Sequence, residues 1–278
     1  MKQDYSFQTD KGHELNMSLY SHAPFGENPC IIYTHGFKGF KDWGFVPFAG
    51  EYFANKGFSF LCFNFSHNGI GEDMENFTEL SKFEQNTFSL EVSELQEVIK
   101  LACHTTFFGN KATAGLGLIG HSRGGGIALL GASRQAEIQA VCTWASVSSL
   151  DRYSKGQIQE WEKKGYMEVK NSRTGQVLKM GRPMLTDIQK NGKGSLNILK
   201  ALKDMEKPLL ILHGAQDETV PPFEAEQLSI FAKQELTEMR MIPGAGHTFG
   251  AKHPFAGSTS PLDLVLSQTE KFFSEHLS

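Results

Sequence analysis

Hydrophobic positions follow two patterns along the chain. Near its start, apolar and polar residues alternate around Tyr5–Thr9 and again over Glu14–Tyr20, with Asp10-Lys11-Gly12 between them. Period-two alternation around a glycine-containing turn predicts a β-hairpin. After it come short continuous apolar runs: Cys30-Ile31-Ile32-Tyr33-Thr34, the aromatic-rich Phe58–Phe65, Leu116–Gly120, Ala140–Ala145 and Pro208–Leu212. Runs of this kind predict strands covered on both faces. Thr237–Ile242 reads as one further strand. Helices are predicted at Phe48–Asn55, ended by Gly57, and at Phe83–His104, Gly124–Arg134, Phe223–Ala232 and Leu262–His276. In Phe83–His104 the apolar residues Leu90, Leu95, Val98 and Ile99 recur at helical spacing, with glutamates on the opposite face. Strands alternating with helices predict an α/β fold, a mostly parallel sheet wrapped by helices on both faces.

One region departs from that rhythm. From Leu150 to Met205 the chain is polar, and its only alternating stretch is Tyr166–Lys179, where Asn171-Ser172-Arg173-Thr174-Gly175 reads as the turn of a small hairpin. A structureless loop of this length is improbable inside a compact domain, so the region should carry helices of its own. The expected organisation is therefore a core of residues 1–149 and 206–278, with 150–205 inserted between two sheet strands.

Composition narrows the partners. With 278 residues, 40% hydrophobic and 21% charged, the chain can bury a sizeable core. A net charge of −4 gives no basic footprint for nucleic acid or an anionic membrane. No apolar stretch approaches the ~18 residues that span a bilayer. The start, Met1-Lys2-Gln3-Asp4-Tyr5, lacks the apolar run of a secretion signal, so a cytoplasmic location is expected. Cys30, Cys62, Cys103 and Cys142 have no metal-type spacing and read as free thiols, three of them in buried strands. No metal and no cofactor are expected, and a homodimer is left open.

The candidate chemistry begins at Gly120-His121-Ser122-Arg123-Gly124, a Gly-x-Ser-x-Gly stretch with a strand before it and a helix after it. That layout predicts a nucleophile elbow, which lifts Ser122 out of the sheet. A serine hydroxyl needs a base within hydrogen-bond reach, and the base needs an orienting carboxylate. Asp217 follows the strand Pro208–Leu212 and its Gly214, and His247 follows Thr237–Ile242 and its glycines Gly244 and Gly246. Both would stand at the carboxyl edge of the sheet, where ligand loops of parallel sheets emerge. The blander readings are a helix cap for Asp217, ahead of Pro221-Pro222, and a loop histidine for His247. Asp204 lies at the wrong end of its strand. Oxyanion donors are expected from the backbone N–H groups of Arg123 and of Phe37, the latter in Thr34-His35-Gly36-Phe37. The Phe37 ring itself reads either as a pocket wall or as packing. His35, His67 and Trp161 are candidate pocket residues, and His121 is expected to point into the fold. His13, His22, His104, His213 and His253 show no partner spacing.

Together, Thr34–Phe40, Gly120–Gly124, Asp217 and Gly246-His247 resemble the α/β-hydrolase superfamily. The length, early hairpin and insertion are similar to bacterial cinnamoyl/feruloyl esterases and to serine aminopeptidase-like and dienelactone-hydrolase-like proteins. The resemblance implies the α/β-hydrolase fold, with an eight-stranded mostly parallel sheet, Ser122, Asp217 and His247 as triad, and residues 150–205 as a lid over the pocket. It also implies a small-molecule ester substrate, with peptide or thioester hydrolysis as rivals and a non-catalytic binding protein as the remaining alternative. Two positions depart from the pattern. Asn64-Phe65-Ser66-His67-Asn68-Gly69 stands where relatives carry Asp-x-Arg-Gly-His-Gly, and Arg123 stands where Gln, Met or Leu is usual. Arg123 would either favour an anionic substrate or pair with a lid carboxylate.

Overall fold

In the computed structural model, which describes residues 1–73, 76–109, 111–113 and 115–277, eight strands form one sheet. The strands are β1 (Lys2–Gln8), β2 (Glu14–Tyr20), β3 (Cys30–Thr34), β4 (Ser59–Phe63), β5 (Leu116–His121), β6 (Ala140–Trp144), β9 (Leu209–Gly214) and β10 (Thr237–Ile242). Their spatial order is β1-β2-β4-β3-β5-β6-β9-β10. Only β2 runs against its neighbours; from β4 to β10 every pairing is parallel.

Continuous apolar runs arise because both faces of the sheet are covered. In β3, Ile32 joins one core while Ile31 and Tyr33 join the other; in β9, Leu209 and Ile211 part from Leu210 and Leu212 in the same way. Helices α3 (Phe88–His104) and α4 (Arg123–Ala132) pack on the first face, and α1 (Val46–Asn55) and α9 (Ser260–His276) on the second. Each fully buried aliphatic side chain contributes about 1.5–3 kcal/mol of transfer free energy. The hydrophobic pattern is therefore the main determinant of this sandwich.

The helical pattern expected over Phe83–His104 is broken into α2 (Leu80–Gln85) and α3. The break is at Asn86-Thr87: both residues adopt extended backbone, and the Thr87 hydroxyl caps α3 by accepting the Leu90 N–H at 3.1 Å.

Between β6 and β9 lie α5 (Lys155–Lys164), the hairpin β7 (Tyr166–Lys170) with β8 (Val177–Gly181), α6 (Arg182–Asn191) and α7 (Ile198–Asp204). The remaining helix of this half, α8 (Phe223–Phe231), follows β9. Ser154 and Gln157 form a reciprocal capping box at the start of α5, and Gly165 ends it in the left-handed conformation. The hairpin packs on α2, and α6 packs on α2, α3 and α5, so the segment is held against the first face of the core. Among the described residues no helix is long and apolar enough to cross a membrane.

Candidate active site

Ser122 joins β5 to α4 with φ 58° and ψ −123°, a conformation costly to a residue bearing a Cβ. It is held by its N–H bond to Trp144 O at 2.9 Å and by close approach of the surrounding backbone. A Cβ on Gly124 would lie 2.3 Å from Thr34 O, so α4 can start here only with glycine at that position. The loop after β3 is equally close: a Cβ on Gly36 would lie 2.9 Å from Ser122 Cβ.

Three side chains meet at the carboxyl edge of the sheet. His247 Nε2 lies 2.9 Å from Ser122 Oγ, and His247 Nδ1 lies 2.8 Å from Asp217 Oδ2. Asp217 is buried, and its other oxygen accepts the N–H groups of Thr219 and Val220, each at 2.9 Å. Burial works to raise its pKa, but hydrogen bonds from His247 and Val220 outweigh this and hold the carboxyl below its ordinary value. Asp217 thus bonds both the histidine and the turn leading toward α8, rather than the helix alone.

Among the described residues, the Phe37 amide finds no protein acceptor, and Arg123, as first residue of α4, has no carbonyl one turn earlier to bond. Both amides flank the Ser122 turn. His35 stiffens the Phe37 loop from beneath: its Nδ1–H donates to Gly36 O at 2.9 Å, and its Nε2 accepts the Phe65 N–H at 3.3 Å. Burial lowers its pKa to about 4, which keeps the ring neutral and able to accept.

Two hollows open on either side of Ser122. One, about 570 Å³, is walled by Phe40, Trp43, His35, Lys252 and the hairpin tip Asn171-Ser172-Arg173. The other, about 360 Å³, is mostly apolar, with Phe88, Val147, Tyr153, Met167, Val169 and Met180 around Arg123. The Phe37 ring faces both. Among the described residues, neither hollow is lined by an aspartate or glutamate.

Several positions differ from the sequence-based expectation. Arg123 lines the apolar hollow but pairs with no lid carboxylate. Its Nη2 donates to Glu91 Oε1 of α3 at 2.7 Å, and its guanidinium lies 4.7 Å from the Phe37 ring centre and 5.6 Å from that of Phe88. His121 does not simply point into the fold: its Nε2–H donates to His247 O at 3.0 Å, and the two rings lie 4.9 Å apart.

His67 lines neither hollow, because Ser66 and the buried Glu94 hold it toward α3. Trp161 lies in the insertion's own core, edge-on to Tyr153 at 5.2 Å, since it is the buried residue of an otherwise polar helix. His213, for which spacing suggested no partner, is fully buried 3.4 Å from Asp217 Oδ2 and bonds Val220 O at 2.8 Å. The expectation of no metal-type cluster came from spacing along the chain. In space, His13, His67 and Glu94 bring one ligand atom each within 4.8 Å of one another.

Comparison with known proteins agrees with this architecture. The model of the prolyl oligopeptidase family (peptidase family S9) matches residues 50–276. No curated protein sequence matches the chain. Solved structures of similar fold include Est1E from Butyrivibrio proteoclasticus (20% identity, 98% of each chain covered, TM-score 0.69), which has also been solved with ferulic acid bound. A dienelactone hydrolase from Anabaena variabilis is similar at 17% identity, with 100% of this chain and 99% of that one covered and a TM-score of 0.65. The esterase domain of a Rhodothermus marinus protein has 17% identity, 99% coverage of each chain and a TM-score of 0.67.

Proposed function

We propose, for a chain that belongs to the prolyl oligopeptidase family and is a serine hydrolase of the α/β-hydrolase fold, that it cleaves carboxylic esters of small or aryl-containing acids through an acyl-enzyme. The observation that carries this reading is the continuous hydrogen-bond path from Asp217 through His247 to Ser122.

In the proposed reaction, His247 Nε2 takes the Ser122 proton as Oγ attacks the ester carbonyl, and Asp217 holds the ring with Nδ1 protonated. The amides of Phe37 and Arg123 donate to the oxygen as it gains negative charge. The alcohol leaves with a proton from His247. Water, deprotonated by the same ring, then releases the acid. Residues 150–205 act as a lid whose hairpin tip closes one hollow and whose strands and Tyr153 wall the other.

The walls bear on the bond cleaved. An aminopeptidase recognises a free ammonium, for which a carboxylate is the natural partner. The hollows instead present aromatic, aliphatic and basic groups, among them Lys38, Arg152 and Lys252. That supports neutral or acidic acyl groups of the kind found in aryl esters. The family relationship favours peptide cleavage as the second reading.

A p-nitrophenyl ester chain-length series run beside hydroxycinnamate methyl esters and aminoacyl-anilides separates the two. Turnover of anilides with none of esters would replace the ester reading.

A further inference from the structure

Glu94 is an acid in an unusual place. Its side chain is 2% exposed, and among the described residues no lysine or arginine pairs with it. Its partners are the Ser66 N–H at 3.0 Å, the Ser66 hydroxyl and, at 3.5 Å, His13 Nδ1. That His13 nitrogen is shielded from solvent and makes no hydrogen bond. The His67 ring lies 4.9 Å from the His13 ring. Burying a carboxylate without a compensating cation is costly, and the only basic groups beside this one are the two imidazoles of His13 and His67, among the described residues. We infer that His13, His67 and Glu94 form a binding site for one borderline divalent cation of the Zn²⁺ type, joining the β1–β2 turn to α3 and to the loop after β4.

The donor chemistry is specific. Two imidazole nitrogens and one carboxylate oxygen are the set that Zn²⁺ accepts with a fourth position left to water, whereas Mg²⁺ and Ca²⁺ require mostly oxygen ligands. The second layer is also present. The Ser66 hydroxyl donates to Glu94, so the 2.6 Å contact from Ser66 Oγ to His67 Nδ1 must be an N–H donation from the ring. That fixes the His67 tautomer with Nε2 as the basic nitrogen, the arrangement by which outer hydrogen bonds prepare a ligating histidine. Ligands of a tetrahedral site with bonds of ~2.0 Å stand ~3.3 Å apart. Here the three ligand atoms lie within 4.8 Å of one another, with His13 Nδ1 already 3.5 Å from Glu94, so side-chain rotation closes the remaining distance on binding.

The test is calorimetric titration of the chelator-treated full-length protein with Zn²⁺. The expected result is one saturable site per chain, a higher Tm with Zn²⁺ and no competition from Mg²⁺. His13→Ala and His67→Ala should each weaken binding by at least about tenfold while leaving the Tm in chelator unchanged. His247→Gln should bind as tightly as wild type. Titration of the wild-type protein with Co²⁺ should give the visible bands of a four- or five-coordinate nitrogen–oxygen site, and this readout does not depend on any variant folding. No saturable site, equal affinity in the His13 and His67 variants, or loss of affinity in the His247 variant would each overturn the proposal.

Discussion

The guanidinium of Arg123 and the carboxylate of Glu91 meet at 2.7 Å, one residue beyond the serine at the strand-to-helix turn. Both side chains are almost wholly buried, 10% and 1% exposed. Burial raises the Glu91 pKa, and Arg123 and Asn86 offset part of that rise. The contact therefore holds α3 to the first turn of α4 through a pair whose halves depend on each other.

Removing one half leaves the other charge buried. Arg123→Met should destabilise the protein by about 3–5 kcal/mol, as for other buried pairs broken from one side, read by urea unfolding. The double variant with Glu91→Gln should recover much of that loss. If the single and double variants lose equal stability, the pair is not what holds the two helices.

Ser122→Ala should abolish labelling by a fluorophosphonate and lower ester turnover by at least about a thousandfold. His247→Ala should lower kcat by a comparable factor, and Asp217→Asn by about 10⁴ through loss of the correct tautomer. A loss below about tenfold for His247→Ala would show that the ring only packs against the serine.

Gly124→Ala puts a methyl group 2.3 Å from Thr34 O. Backbone on both sides cannot give way as a flexible side chain would, so a cost of about 1–3 kcal/mol or more is expected. The measurement is the urea midpoint of this variant against Gly156→Ala, where a Cβ meets nothing within 4 Å.

The buried histidines predict a fall in stability on the acid side. Burial lowers the His35 pKa from 6.5 to about 4 and that of His121 to about 3. Below pH 6.5 the unfolded chain takes up protons at these positions while the native chain does not, so stability drops as pH falls from 6.5 toward 4. His35 alone accounts for on the order of 3 kcal/mol across that window. Unfolding free energies at pH 7.5, 5.5 and 4.5 check the slope. His121→Asn should flatten it, and an unchanged slope in that variant would refute the assignment.

Trp161 gives a negative control for the pocket. Because it packs against Tyr153 inside the insertion, Trp161→Phe should lower Tm while KM for a short ester changes by less than about twofold. Tyr153→Ala, which enlarges the apolar hollow, should shift the ester series toward longer acyl chains.

The strands were legible because each has a signal of its own. Cys30–Thr34 and Thr237–Ile242 have the predicted bounds, and the hairpin alternation places β2 at Glu14–Tyr20. Ser122, Asp217 and His247 were each found from a strand ending in glycine, a local feature, and they lie in hydrogen-bonding contact. What could not be read depends on pairs remote in sequence. His13 and Glu94 are 81 positions apart, Glu91 and Arg123 are 32 apart, and no local pattern marks either pair. His67 and Trp161 were misplaced for a related reason: an aromatic ring near a predicted site has the same local appearance whether it faces the cavity or a neighbouring helix. The break at Asn86-Thr87 had a readable cap, but continuous helical spacing across it concealed the signal.

The insertion leaves the sheet after β6 and returns at β9, and these two strands are direct neighbours, with Val141 beside Leu209 and Trp144 beside Leu212. Its length is therefore invisible to the register of the sheet. Residues can be added to or removed from the β7–β8 hairpin without shifting a single ladder hydrogen bond beneath Ser122, Asp217 or His247. The scaffold thus uncouples two parts of one molecule: the sheet edge that carries the hydrogen-bonded trio keeps its register whatever length of chain walls the hollows above it.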